Sequence, residues 1–245
     1  MKWSFRYIPF IALSFFSCNK SKLGDVISDL QFSTRSVVAD GASKITISVV
    51  LNGNADSAKR NILFSASNGS FLNGNDSSIS EKAVFVNSQL IAKVTYQPPL
   101  KAQTVYFVVQ PNQSSASNVS LRDSLVIGPS LPAKIALTKS SFAVGYGFTS
   151  EDTMTAKLTN SAGNPVSLGT KVTFKNYYPG GAAFIGSYRM TDSISNASSE
   201  VSTIYSPGFV VPVGSDFYFK VTVLDSSGNP TKIADSTLIT VIQLQ

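Results

Sequence analysis

Ser43-Lys44-Ile45-Thr46-Ile47-Ser48-Val49-Val50-Leu51-Asn52 sets apolar against polar residues with a period of two and closes on a turn-forming asparagine. Successive side chains of a strand point to opposite faces, so the alternation predicts a strand with one face buried and one wet. The stretch has an echo. Glu151-Asp152-Thr153-Met154-Thr155-Ala156-Lys157-Leu158-Thr159-Asn160 repeats it about 108 residues later. Farther along, Leu90-Ile91-Ala92-Lys93-Val94-Thr95-Tyr96-Gln97-Pro98 answers Glu200-Val201-Ser202-Thr203-Ile204-Tyr205-Ser206-Pro207. Asp123-Ser124-Leu125 then answers Asp235-Ser236-Thr237, the offset growing to about 112 as loop insertions lengthen the second copy. Two copies of one unit are therefore expected, over residues 28–128 and 129–245. Their seam is Gly128-Pro129-Ser130-Leu131-Pro132, where two prolines fix φ and discourage strand continuation.

Within each copy, alternating segments rich in Val, Ile, Thr, Phe and Tyr are separated by Asn, Gly, Ser and Pro clusters about every ten residues. In the first copy the pattern predicts strands at 29–37, 43–51, 61–66, 79–86, 89–96, 103–110 and 117–127. In the second it predicts 133–144, 151–159, 170–177, 182–195, 199–205, 215–224 and 233–243. Seven strands in about 105 residues is the immunoglobulin count, and no stretch carries a helical face of three turns. The expected fold is all-β, two tandem immunoglobulin-like β-sandwich domains.

Val38-Ala39-Asp40-Gly41-Ala42-Ser43-Lys44-Ile45-Thr46-Ile47 resembles the opening of the bacterial Ig-like domains repeated in intimin and invasin, an Ala-Asp-Gly turn before an alternating strand. Asn160-Ser161-Ala162-Gly163-Asn164-Pro165-Val166-Ser167-Leu168-Gly169-Thr170-Lys171-Val172-Thr173-Phe174 resembles their next turn and strand. Each copy shows one half of the pattern. The first has Asn52-Gly53-Asn54-Ala55-Asp56 without the proline, and the second has Gly145-Tyr146-Gly147 where Ala-Asp-Gly would stand. The resemblance implies a stalk or adhesion-type module. The cysteine pair and core tryptophan of antibody domains are missing, so packing alone must hold each sandwich together.

At the amino end Lys2 and Arg6 precede the apolar run Tyr7 to Ser17, which has the length of a signal-peptide core and falls short of the roughly 20 residues that span a bilayer. Residues 1–17 are expected to be a signal peptide. Cys18, the single cysteine, stands where that run stops, after small Ser17. It resembles the acceptor of a bacterial lipobox, with Phe15 and Phe16 where an aliphatic and a small residue are usual. The resemblance implies a diacylglycerol thioether on Cys18 and acylation of the new amino terminus. Several acyl chains hold where one is marginal, each buried methylene contributing about 0.8 kcal/mol. Residues 18–27 would form the lipidated tether. Asn19 is not the Asp that retains some lipoproteins at the inner membrane, so the expected location is the outer membrane or cell surface.

Composition excludes much chemistry. The chain has no histidine, and a lipidated Cys18 offers no thiol, which removes the usual groups that titrate or attack near neutral pH. Loss of Lys2 and Arg6 takes the formal charge from +6 to +4, too scattered for nucleic acid. Asn73-Gly74-Asn75-Asp76 and Asp225 to Asn229 could gather oxygens for calcium, but neither loop alone supplies the charge, and Asp and Asn cap such turns on their own backbone. Gly145-Tyr146-Gly147 lacks the third glycine and the helix of a phosphate loop. No enzyme activity, cofactor or metal is expected.

Two features remain. Of eleven aspartates seven precede Ser or Thr, where composition would give about three. Five of these continue with Ala, Leu, Met, Ile or Thr, placing hydroxyls at Ser57, Ser124, Thr153, Ser193 and Ser236. The strings resemble an O-glycosylation sequon of exported proteins in one group of Gram-negative bacteria; an Asp-Ser turn or strand-entry pair is the plainer reading. The other feature is aromatic: Tyr146 and Phe148 in one loop, Tyr177 and Tyr178 at a strand end. They are candidates for stacking on sugar or anchoring a protein, against a reading in which Tyr177 and Tyr178 point one in and one out. The function expected is that of a non-catalytic, lipid-anchored envelope protein acting in adhesion, spacing or complex assembly with an unknown protein or glycan partner. The alternative is an accessory glycan-binding lipoprotein.

Overall fold

A computed structural model describes residues 26–74, 77–113, 119–179 and 186–244. The signal segment, Cys18 and Asn75-Asp76 lie outside them. The first sandwich contains β1 Ile27–Phe32, β2 Val37–Ala39, β3 Ile45–Leu51, β4 Asn61–Ala66, β5 Ser70–Phe71, β6 Ser78–Lys82, β7 Val84–Val86, β8 Gln89–Gln97, β9 Gln103–Pro111 and β10 Leu121–Pro129. The second contains β11 Lys134–Lys139, β12 Ala143–Gly145, β13 Asp152–Thr159, β14 Val172–Tyr177, β15 Ser187–Asp192, β16 Glu200–Ser206, β17 Asp216–Leu224 and β18 Pro230–Ile242. One sheet of the first runs β1-β3-β8-β5, with β7 also on β8, and faces β2-β10-β9-β4-β6. In the second, β11-β13-β16-β15 faces β12-β18-β17-β14. This is the all-β, tandem immunoglobulin-like architecture read from the alternation.

Residues 43–52 and 151–160 behave as their pattern requires. In β3 the side chains of Ile45, Ile47, Val49 and Leu51 are buried, and in β13 those of Met154, Ala156 and Leu158. Each sandwich has its own apolar cluster. A tyrosine takes the central place in both. Tyr96 on β8 and Tyr205 on β16 are fully buried, with ring centroids 5.0 Å from Phe107 and 5.1 Å from Phe217. The Tyr96 hydroxyl donates to Asn68 O at 2.6 Å beneath Gly69, whose φ of 78° suits only glycine there. Gly186, φ 81°, covers Tyr205 in the same way. These pairs replace the tryptophan and disulfide of antibody domains.

Several expected strands divide. The single strand expected at 29–37 is β1 in one sheet and β2 in the other, where β2 runs parallel to β10. The segment between turns on the Thr34 hydroxyl, which accepts from Ser36 N at 3.1 Å. The strand expected at 133–144 divides the same way into β11 and β12, β12 lying parallel to β18. Here the Asp152 carboxylate holds the crossing by accepting from Ser140 Oγ and from Ser141 N. Residues 79–86 become β6 on β4 and β7 on β8, with buried Ala83 between them donating to Arg60 O. Of 182–195, residues 182–185 lie outside the described residues; β15 follows, and Ile194 then bridges to Lys171. The two-residue β5 escapes a periodicity argument altogether.

Candidate functional site

The two stretches that resembled bacterial Ig-like domains meet each other. In the Ala-Asp-Gly turn, Ala39 and Asp40 are buried and Gly41 adopts φ 61°. The Asp40 carboxylate accepts from Ala42 N at 3.0 Å, Ser43 N at 2.8 Å and Ser43 Oγ at 2.5 Å, and also from Asn164 Nδ2 of the second sandwich at 3.1 Å. Burial alone would raise its pKa; the bonds from Ser43, Ala42 and Asn164 outweigh burial and hold it below the usual carboxylate value. Beside it, Ser167 Oγ donates to Ala39 O at 3.0 Å and Leu168 N to Leu100 O at 2.9 Å. Ser130 ties the seam in, its N donating to Ser167 Oγ at 2.7 Å and its hydroxyl to Pro165 O at 2.9 Å. The junction is thus a buried polar interlock. The first copy's missing proline turn and the second copy's missing Ala-Asp-Gly are the halves that have no such neighbour among the described residues.

The loop Asn160 to Pro165 has a twin in Asp225-Ser226-Ser227-Gly228-Asn229-Pro230. In both, the first side chain accepts from the backbone N–H groups two and four residues on, and the glycine sits at positive φ. Asp225 is lowered in pKa chiefly by the Asn229 N–H. Its carboxylate is occupied by its own turn, as expected of an Asx turn. No group of three or more His, Cys, Asp or Glu placed to hold a metal occurs among the described residues.

At the far end of the second sandwich, Tyr146 and Phe148 pack against Phe209, with centroids at 5.4 and 5.1 Å. Gly147 pairs with Gly208, and Tyr146 N donates to Ile242 O, which fixes the two loops beside the end of β18. Phe148 is 61% exposed, Phe209 63% and Val210 71%. Alternation does not single out Phe209 and Val210; the signal they carry is that Ser206 to Ser215 is an uncharged, largely apolar loop. Tyr177 and Tyr178 divide one out and one in. Tyr177 stacks on Tyr218 across the outer face, and Tyr178 packs against the core.

The five Asp-Ser/Thr strings also find their places. Ser57, Thr153 and Ser236 are exposed; Ser124 and Ser193 are half-buried. The preceding aspartates all have local work. Asp56 caps the short helical turn Ser57–Lys59 and Asp192 accepts from Ile194 N. Asp123 pairs with Arg35, which lowers its pKa, and Asp235 accepts from Leu137 N at 2.8 Å. Asp123 and Asp235 thereby fasten matching strands of the two copies to the segment carrying β1 or β11.

A scan of protein-family profiles and a search of curated proteins both return no match. Among solved structures, the chain superposes on invasin, a bacterial integrin-binding protein, with a TM-score of 0.60 at 16% identity, covering 88% of this chain and 39% of that one. The sandwiches have the invasin-type Ig-like fold. The Yersinia pseudotuberculosis adhesin InvE aligns over 89% of this chain and 60% of its own, at 11% identity and a TM-score of 0.47. The D0-D1 domains of intimin align over 89% and 99%, at 15% identity and a TM-score of 0.35. The chain spans less than two thirds of the invasin and InvE chains. Within the invasin-type frame, β13 lies between the interlocked loop at Asn160 and the aromatic loop at Tyr146. Its eight residues separate the junction from the aromatic loops by roughly 26 Å.

Proposed function

We propose that the chain is an exported, lipid-anchored envelope protein, tethered through Cys18, whose two sandwiches act as a stiff spacer that presents the second to a partner. Signal peptide 1–17, tether 18–27 and domains 28–128 and 129–245 make up this reading. The observation that carries it is the interlock around Asp40, Asn164, Ser167 and Leu168. It joins two sandwiches by directed hydrogen bonds where a flexible linker would have left them independent. The role is adhesion or complex assembly without catalysis, at the outer membrane or cell surface, with a protein or glycan as partner. The likeness in fold to invasin supports it. Growth with an alkyne-tagged palmitate tests the anchor: label should enter the parent protein and be lost with Cys18→Ser, which should also free the protein from membranes. Equal membrane retention of both refutes the anchor.

Glycan binding is the second reading, and the half-exposed Tyr177–Tyr218 pair favours it. Glycosylation at Ser57, Ser124, Thr153, Ser193 and Ser236 stays a separate proposal beside the structural work of their aspartates. An intact mass equal to that of the lipidated chain, measured on protein from its native host, would dismiss it.

A further inference from the structure

The outer face of the β12-β18-β17-β14 sheet carries a band of apolar rings that the sandwich core does not use. Along β17 the outward Asp216, Tyr218, Lys220 and Thr222 alternate with buried Phe217, Phe219, Val221 and Val223. Register places Tyr177 of β14 opposite Tyr218, and Tyr218 opposite Leu238 of β18. The tyrosine rings stack at 5.5 Å and 25°, and Leu238 is 42% exposed. Lys139, on β11 of the facing sheet, borders the band at the β18 edge. Its Nζ donates to Leu238 O and stands 4.6 Å over the ring of Phe142, which is 84% exposed. From β14 to β12 the face is roughly 14 Å across.

The neighbouring row is Lys175, Lys220 and Ser236, one from each of β14, β17 and β18. Like charges directly opposite on adjacent strands destabilise a sheet. Yet Lys175 and Lys220 are such a pair, and among the described residues neither has an ion-pair partner. Asp216, one row beyond Tyr218 on the other side, is engaged by Thr240 Oγ1 at 2.6 Å. Packing does not call for this arrangement.

We propose that this face binds an acidic oligosaccharide laid across the strands. The apolar faces of its sugar rings would lie on Tyr177, Tyr218 and Leu238, and its carboxylate or sulfate groups would meet Lys175 and Lys220. A protein hot spot would favour a pocket for an anchor side chain, and single-stranded nucleic acid a continuous positive groove. A flat band with two ammonium groups at one side suits a polymer that stacks through its sugar faces and carries its charge along one edge. The proposal builds on the glycan-binding reading, moves it from the loop aromatics to the sheet face, and is independent of the anchor.

The test is titration of the full chain with alginate, heparin, neutral dextran and poly(dT), at low and high salt. Alginate or heparin should bind, more weakly at high salt, and dextran should not. Tyr218→Ala should weaken binding at least roughly tenfold, about 1.4 kcal/mol. Lys175→Ser with Lys220→Ser should do the same and flatten the salt dependence, while retaining or raising the melting temperature because a like-charge pair is gone. Phe148→Ala, at the far loops, should bind as the parent does. The proposal is overturned if neither polysaccharide binds, if the lysine double variant binds like the parent, or if poly(dT) binds more tightly than both. Any of these results leaves the acyl-labelling outcome, and with it the anchor, untouched.

Discussion

Replacing Asp40 by alanine should unfold the first sandwich far more readily than a surface change would. Asp40 is 1% exposed, and its carboxylate serves four donors: two backbone N–H groups, the Ser43 hydroxyl and the Asn164 amide. A buried donor stripped of its acceptor costs about 1–3 kcal/mol. The Ser43 hydroxyl can turn elsewhere, and water can enter at the junction, so the four do not add in full. A loss of about 3 kcal/mol is the expected figure, large beside the roughly 5–15 kcal/mol that holds a domain together. In urea this moves the midpoint of the first transition by roughly 1–3 M. Tyrosine fluorescence can follow it, since Trp3, the single tryptophan, lies within the expected signal peptide. Asn164→Ala removes just the donor that crosses the junction. It should cost about 1 kcal/mol and broaden the small-angle scattering envelope without unfolding either sandwich. If Asp40→Ala unfolds within about 0.5 kcal/mol of the parent, the spread usual for changes at a neutral surface site, the interlock does not stabilise the fold and the reasoning fails.

Acid offers a second approach to the same residue. The folded pKa of Asp40 is depressed, so its contribution is complete above the unfolded value of about 4 and disappears as pH falls through the lower folded value. Melting temperatures from pH 6 to pH 2 should therefore fall less steeply in Asp40→Ala than in the parent; parallel curves would contradict this. Gly69→Ala should destabilise the first sandwich by at least about 2 kcal/mol. A Cβ there would stand 2.1 Å from the Tyr96 hydroxyl at a φ of 78°, and calorimetry would show the second transition unmoved. Millimolar calcium should leave both melting temperatures within about 1 °C, because the Asp225 carboxylate is already taken by Ser227 N and Asn229 N.

Fold class was legible because alternation is a local property, and β3 and β13 bury the residues their spacing selects. Changes of sheet were not. β2 alternates, and so does β1 past the bulge between Ile27 and Asp29, so periodicity carries no mark of the point where the chain crosses from one sheet to the other; the mark is the Thr34 turn, a single hydroxyl contact. The half-motifs were legible as motifs, but their meeting depends on a contact between residues 124 positions apart. The aromatic candidates show the same limit. Tyr177 and Tyr178 stand out as neighbours in sequence, whereas the partner of Tyr177 is Tyr218, chosen by the register of β14 on β17. Lys175 and Lys220 draw attention only when that register sets them opposite each other.

The short parallel pairs β2 with β10 and β12 with β18 have a mechanical consequence. In each sandwich they join a segment near the entry of the chain to the strand by which it leaves. A pull between a fixed amino end and an object held by the second sandwich would load these ladders along the strands. Every hydrogen bond in a ladder then bears load together, in shear, where a hairpin pulled from its open end would give way one bond at a time. A tether under drag from flowing fluid would draw on that resistance before either core was exposed.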